Sequence, residues 1–367
     1  MKSQPAEGMP RPGGAHGRGA VSSPPPRFDR QVAAPFDDGW GADPALPRLP
    51  TSLTRDAAKT AISYNASPDL GFDRSINPYR GCEHGCVYCY ARPTHAYLGL
   101  SPGLDFETRL SFKPDIAALL ERELRRPGYV CRPIALGANT DPYQPVERTL
   151  GLTRAVLEVL ARFGHPCTIV TKSAGVLRDL DVLRGLAARN LVRVYLSVTT
   201  LDPTLARRME PRAASPKRRL ETLHGLHEAG VPASVLAAPM IPGLNDAELE
   251  AILHAAREAG AASAGYVLLR LPHELTDMFE AWLAAHYPDR ARHVLNLIRQ
   301  TRAGRLNEPD FHTRFVGTGA YAQLLRQRFA IATRKLGLVS PPSLDATCFA
   351  VPPAPAAAGP AQLQLGL

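Results

Sequence analysis

Apolar and polar positions alternate along the chain in two distinct rhythms. Between residues 61 and 275, short β-branched or apolar runs are followed by segments whose apolar residues recur every three or four positions. The repeat is close to the roughly 30 residues of a βα unit. Candidate strands end at Gly81, Gly137, Thr171, Thr199, Ala238 and Arg270. Two of the intervening helices carry clear punctuation. Ser215 followed by Pro216 opens one that closes at Gly230, and Asn245 opens another that closes at Gly260. Leu220, Leu223 and Leu226 form the apolar stripe of the first, and Leu249, Ile252, Leu253 and Ala256 that of the second. Six such units predict an α/β protein built as a partial (βα)6 TIM-like barrel, with a flat doubly wound sheet as the alternative. Both architectures put chemistry at the C-terminal ends of the strands.

The flanks read differently. Residues 1–60 are rich in Pro, Gly, Ala and Ser without a sustained hydrophobic period, which predicts a disordered N-terminal segment. Residues 276–339 form a basic, helical C-terminal extension in which YAQLLRQRFAIATRKL reads as an amphipathic helix. Residues 340–367 are a Pro/Ala-rich tail within which LDATCFAV is expected to dock locally. No stretch approaches the roughly 18 consecutive apolar residues of a membrane helix, and MKSQPAEGMPRPGG lacks the apolar core of a signal peptide. The expectation is a cytoplasmic protein without a membrane partner.

Charge narrows the choice of partner. The formal net charge is +9 and the basic residues are clustered. From His286 to Leu338 ten Lys or Arg face only Asp289, Glu308 and Asp310, and Arg207, Arg208, Arg212, Lys217, Arg218 and Arg219 meet only Glu210. Cations interleaved with Phe311, Phe315, Tyr321 and Phe329 suit phosphates and stacked bases, so nucleic acid, DNA or RNA, is the first expectation. An acidic protein, a peptide or a phosphorylated metabolite satisfies the same charge, and a solvated helix face needs no partner at all.

The densest chemistry lies in NPYRGCEHGCVYCYARPTH, where Cys82, Cys86 and Cys89 follow the first strand with Cys-x3-Cys-x2-Cys spacing. Three thiolates in one tight loop can ligate three irons of a cubane and leave the fourth iron open to a reactant. Gly81 and Gly85 let the backbone turn closely around them. The alternative is a structural zinc site with His84 or His95 as fourth ligand. Cys131, Cys167 and Cys348 are scattered and read as small buried hydrophobes.

With Tyr88 just before the last cysteine, the motif resembles that of the radical S-adenosylmethionine (SAM) superfamily, and the resemblance extends over residues 70–275. It implies a [4Fe-4S] cluster on Cys82, Cys86 and Cys89, with SAM bound at the open iron. A reductant such as flavodoxin or ferredoxin would supply the electron for reductive cleavage of SAM to a 5′-deoxyadenosyl radical. It further implies that Thr140 and Asp141 meet the methionine amino group and that Ser197, Thr199 and Thr200 meet the ribose or carboxylate. Arg212, with Glu210 beside it, would pair with the cofactor carboxylate, the PMIPGLND loop would meet the adenine, and Tyr88 would cover the base. Lys172 reads either as an anion contact or as a surface charge.

Within the superfamily, FDRSINPYRGCEHGCVYCYARPTH and TDPYQPVE are similar to the spore photoproduct lyase-like branch, which implies a lyase for DNA repair. Spore photoproduct lyases carry a hydrogen-donating cysteine near the end of the second strand, where this chain reads ALGANTD. Cys131 lies roughly 20 Å back along that strand, and Tyr143, in the right loop, reads either as a catalytic hydrogen-atom relay or as a tyrosine packed beside the cluster. Two other readings stay open: a radical enzyme acting on a peptide or small molecule, and a non-catalytic nucleic-acid-binding module with a structural metal.

Overall fold

The computed structural model describes residues 17–28, 49–340 and 342–353. Its strands are β1 (Ser52–Arg55), β2 (Ile62–Tyr64), β3 (Arg74–Ile76), β4 (Tyr79–Arg80), β5 (Arg109–Phe112), β6 (Ile134–Leu136), β7 (Cys167–Thr171), β8 (Val192–Ser197), β9 (Ala233–Met240) and β10 (Ser263–Leu268). Seven form the main sheet in the order β10-β9-β8-β7-β6-β3-β2. The six from β3 to β10 run parallel, and β2 adds an antiparallel edge. Among the described residues β10 pairs only with β9, so the barrel stays open, as the six-unit pattern predicts.

The expected strand ends fall within about two residues of the observed ones, except the first. β3 stops at Ile76 rather than Gly81 because Pro78 lacks the N–H that a strand interior needs. The chain then leaves the main sheet, and Tyr79–Arg80 pairs with β5 in a small sheet of order β1-β5-β4 that the hydrophobic pattern does not predict.

The Ser215 hydroxyl caps the helix Pro216–Glu228 by accepting the Arg218 N–H at 3.3 Å. Asn245 does something other than cap. Its side chain is fully buried, accepts the Ile241 N–H, and donates to the carbonyls of Thr199 and Pro239, tying the ends of β8 and β9 together. A 3-10 turn, Asp246–Glu248, then leads into the helix Leu249–Glu258.

The main core lies between the sheet and its helices. Ile134, Val194 and Val235 from the strands meet Val156, Leu183, Leu223 and Ile252 from the helices, all without exposed surface. Each contributes about 1.5–3 kcal/mol relative to leaving it in water. A second core joins the cysteine loop to the C-terminal extension: Val87 and Tyr88 pack with Phe279, Trp282 and Ile298, from the helices Leu275–His286 and Pro288–Gln300. The extension therefore shares a core with the loop that precedes the barrel helices. The last helix, Gly319–Leu336, buries Ala322, Leu325 and Ala332 and sets Phe329 against Tyr266 with ring centroids 4.8 Å apart.

Parts of both flanks are seated. Within the segment whose composition predicts disorder, Arg18, Gly19 and Ala20 are buried, and the Arg18 guanidinium donates to the Glu107 and Leu49 carbonyls at 2.7 Å each. Partners far along the chain satisfy this backbone, which no local hydrophobic pattern reveals. In the tail, Phe349 packs edge-on to His165 and the Ala350 N–H donates to the Phe163 carbonyl, so LDATCFAV docks as expected. The remainder of these flanks, residues 1–16, 29–48, 341 and 354–367, lies outside the described residues. Among the described residues no helix is long and apolar enough to cross a membrane.

Candidate active site

The cysteine loop follows β3 at the C-terminal end of the parallel sheet. Cys82 and Cys86 are buried, Cys89 is half-buried, and all three thiols are free. Cys89 packs against both of the others' apolar surroundings. Burial pushes the Cys86 thiol up to about 12, with Lys172 pulling the other way, and drives Cys82 well above its ordinary value. Loading a metal here therefore releases protons.

Glu107 holds this loop in shape. Its carboxylate, with no exposed surface, accepts from Arg92 Nη2 at 2.5 Å and from the Gly19 and Ala20 N–H groups at 3.0 and 2.9 Å. Arg92, equally buried, donates through Nε to the Cys86 carbonyl at 2.8 Å. The packing leaves no room for side chains at two points. Gly85 has φ +69°, and a Cβ there would lie 2.8 Å from Glu107 Oε2, while a Cβ on Gly19 would lie 1.8 Å from the Gly85 carbonyl oxygen.

On the other side of the loop, Tyr88 donates its hydroxyl to Glu210 Oε1 at 2.6 Å and stands 3.3 Å from Thr199 Oγ1. Glu210 is also paired with the buried Arg219, which donates to the Ser197 and Ala214 carbonyls. Burial alone would raise Glu210, but Arg219 and Lys172 outweigh it and hold the carboxyl below its ordinary value. The Lys172 ammonium lies 5.6 Å from the Tyr88 ring centroid and has neither a hydrogen bond nor an acid partner among the described residues. Burial works to lower Lys172, yet Cys86 and Glu210 keep it above its ordinary value.

Several expected contacts are taken up by the protein itself. Asp141 accepts from Thr171 Oγ1 and the Lys172 N–H at 2.7 Å each and from the Tyr143 N–H at 2.9 Å, and it faces His84 Nδ1 at 3.3 Å. Burial would raise it, but these partners, His84 foremost, bring it down to about 2. Thr140 donates to the Tyr79 carbonyl at 3.1 Å. Ser197 donates to the Ala238 carbonyl at 2.9 Å, and Thr200 donates to Glu248 Oε1 at 2.6 Å. Arg212 pairs with Glu83 at 3.1 Å, while its neighbour Glu210 belongs to Arg219 and Tyr88. Tyr143 has its hydroxyl buried, donating to Asp179 at 2.9 Å.

Three residues gain a place that consecutive sequence does not give them. Lys172 is ambiguous in the sequence, and only the fold sets it over Tyr88. Tyr90, half exposed and adjacent to Cys89, donates to the Ala138 carbonyl, and its place directly after the last cysteine is the available signal. Glu107 carries no signal, since it lies in a separate segment from the residues it binds. Much of the clustered positive charge also proves structural: Arg314 pairs with Asp69, Arg328 with Glu250 and Arg218 with Glu221, and Arg302 is fully buried.

The donor set fits an iron-sulfur cluster. Three free thiols line one loop, the donor set that three irons of a cubane take. His84 faces Asp141 through Nδ1 and His95 faces the Arg109 carbonyl through Nε2 at 3.1 Å.

Comparison with known proteins agrees with this geometry. The family model of the Radical SAM superfamily matches residues 76–256. An uncharacterized protein of Mycobacterium tuberculosis is 35% identical over 349 residues, covering 89% of this chain and 98% of that one. An uncharacterized protein of Methanocaldococcus jannaschii is 28% identical over 173 residues, covering 47% of this chain and 62% of its own length. Among solved structures, spore photoproduct lyase complexed with dinucleoside spore photoproduct superposes with a TM-score of 0.56 at 16% identity, covering 77% of this chain and 79% of that one. A doubly substituted form of that lyase with bound AdoMet and the same dinucleoside gives 0.55 at 16% identity over the same shares. At this identity the likeness is one of fold.

Proposed function

The chain belongs to the radical SAM superfamily, whose cofactors are a [4Fe-4S] cluster and SAM, and from that premise we propose that it is a radical SAM lyase acting on a lesion or base in nucleic acid. The observation that carries the reading is the loop after β3. Three free cysteines stand at the C-terminal end of a six-stranded parallel sheet, next to an unpaired lysine and a buried Tyr88–Glu210–Arg219 network.

When bound, a [4Fe-4S] cluster and SAM would supply one-electron reductive cleavage and hydrogen-atom abstraction. The chain's own residues do the positioning. Cys82, Cys86 and Cys89 hold the cluster, and the Glu107–Arg92 pair fixes the loop that presents them. Lys172, not Arg212, is the cation available to the methionine carboxylate, because Arg212 is neutralised by Glu83. Asp141 orders the site from beneath through His84 and the Lys172 N–H, rather than by meeting the amino group unaided. Tyr88, held by Glu210, lines the adenosyl side. Tyr90, half exposed beside Cys89, joins Tyr143 as a candidate phenol for hydrogen-atom relay.

The nucleic-acid part of the reading is supported by the shared fold with a lyase whose solved complex holds a dinucleoside photoproduct, and by the cations and aromatic rings after β10. The test is anaerobic reconstitution with iron and sulfide, reduction, and assay of 5′-deoxyadenosine with and without ultraviolet-irradiated DNA. Cleavage of SAM that is stimulated by irradiated DNA and lost in Cys86→Ala is expected. Cleavage indifferent to any nucleic acid would overturn the substrate class, and a loaded protein that never cleaves SAM would overturn the radical chemistry.

A further inference from the structure

Arg270 is anomalous. It sits two residues beyond the C-terminal end of β10, half-buried, and among the described residues its guanidinium makes no hydrogen bond and no ion pair. Its Nε is fully shielded and without a partner. That Nε at the C-terminal end of the sheet needs an explanation, since a shielded donor without an acceptor is destabilising.

The surroundings supply one. The Arg270 guanidinium lies 5.0 Å from the Phe315 ring centroid, and Arg314 lies 4.8 Å from both Phe315 and Phe311. The contacts thus run Phe311–Arg314–Phe315–Arg270, with Phe311 half exposed at the outer end. Arg314 is already neutralised by Asp69, whose carboxylate takes its Nε at 2.7 Å. Arg270 is the cation of this ladder that has no acid.

The ladder is rigidly mounted. The fully buried Arg302 donates to the carbonyls of Leu268 and Leu269 at the end of β10 and to those of Thr313 and Arg314 in the aromatic loop. The Leu268 N–H closes the frame on the Phe315 carbonyl at 2.9 Å. Burial first, then the Arg314 charge, holds the Arg270 guanidinium below its ordinary value, a strain that a bound anion would relieve.

We propose that Arg270 and the Phe311–Phe315 ladder form a subsite for one backbone phosphodiester and the base beside it, the phosphate taken by the Arg270 fork and the base stacked on Phe311. A guanidinium presents paired donors to phosphate oxygens, and aromatic faces accept any base. The subsite deepens the nucleic-acid reading of the site and rests on it for its role in the reaction. Its binding chemistry can be tested separately.

The experiment measures binding of fluorescein-labelled oligothymidylate to the reconstituted enzyme by anisotropy across a salt series. It compares wild type with Arg270→Gln, Arg270→Lys and, as a control, the exposed Arg334→Gln. Arg270→Gln is expected to weaken binding on the order of tenfold or more and to lower the salt slope by about 0.7. Arg270→Lys should restore the slope but not the full affinity, because an ammonium lacks the fork. Arg334→Gln should change little. Equal affinity and slope in wild type and Arg270→Gln, or no binding by wild type, would overturn the subsite. SAM cleavage by the wild-type enzyme, assayed with irradiated DNA, separates the two ideas. Arg270-dependent binding without SAM cleavage would sink the radical reading and leave the subsite standing, whereas intact cleavage with Arg270-independent binding would do the reverse.

Discussion

Replacing Glu107 by glutamine removes the charge from the acid that joins the cysteine loop to the N-terminal segment, at a place where neither it nor Arg92 has any exposed surface. The carboxylate takes three donors, Arg92 Nη2 and the Gly19 and Ala20 N–H groups. A glutamine keeps one acceptor oxygen and turns an NH2 toward the remaining donors. Stranding one partner of a buried ion pair costs about 3–5 kcal/mol, a large part of the roughly 5–15 kcal/mol that holds a typical domain folded. The variant should therefore unfold at a clearly lower urea concentration when the reconstituted protein is followed by circular dichroism. Because Arg92 also donates to the Cys86 carbonyl, the loss should reach the cluster loop and lower the iron retained per chain. Trypsin should cut faster at Arg18, whose burial depends on the same hub. A midpoint within experimental error of wild type, with Arg18 still protected, would refute the role given to Glu107.

Three further outcomes follow from single residues. His165 is fully buried, accepts from Tyr129 at 2.8 Å, and is held down to about 4 from 6.5 mainly by burial. The unfolded chain then binds the extra proton between those values, so stability rises with pH across that window and about 3 kcal/mol is lost on acidification through it. His165→Gln should flatten the curve of unfolding free energy between pH 6.5 and 4, and curves parallel to wild type would count against it. Lys172→Gln should raise the dissociation constant for SAM on the order of tenfold with iron content unchanged, and an unaltered constant would remove Lys172 from the site. Asn245→Ala should destabilise the protein by about 2–3 kcal/mol because it leaves buried backbone groups of β8 and β9 unsatisfied, as a shift in thermal midpoint would report.

The features that sequence alone determined are those written in consecutive residues. A βα repeat is a rhythm of apolar positions, so six parallel strands were legible without coordinates, as was the cap at Ser215. The cysteine spacing lies in one eight-residue run and carries its chemistry with it. Partner choice is different in kind, because it depends on which side chains the closed fold brings within a few ångströms. Arg314 finds Asp69 from 245 positions away, and Glu107 finds Gly19 from 88. The same charge count therefore could not tell a cation bolted into the fold, like Arg302, from one left idle, like Arg270. Nor could it tell that Arg212 answers Glu83 while Lys172 stays open, or that the Tyr143 hydroxyl turns to Asp179. Local periodicity specifies the frame because hydrogen bonding and burial repeat along the chain. The occupants of the site are decided by tertiary packing, since desolvation and charge pairing act between segments that the sequence keeps far apart.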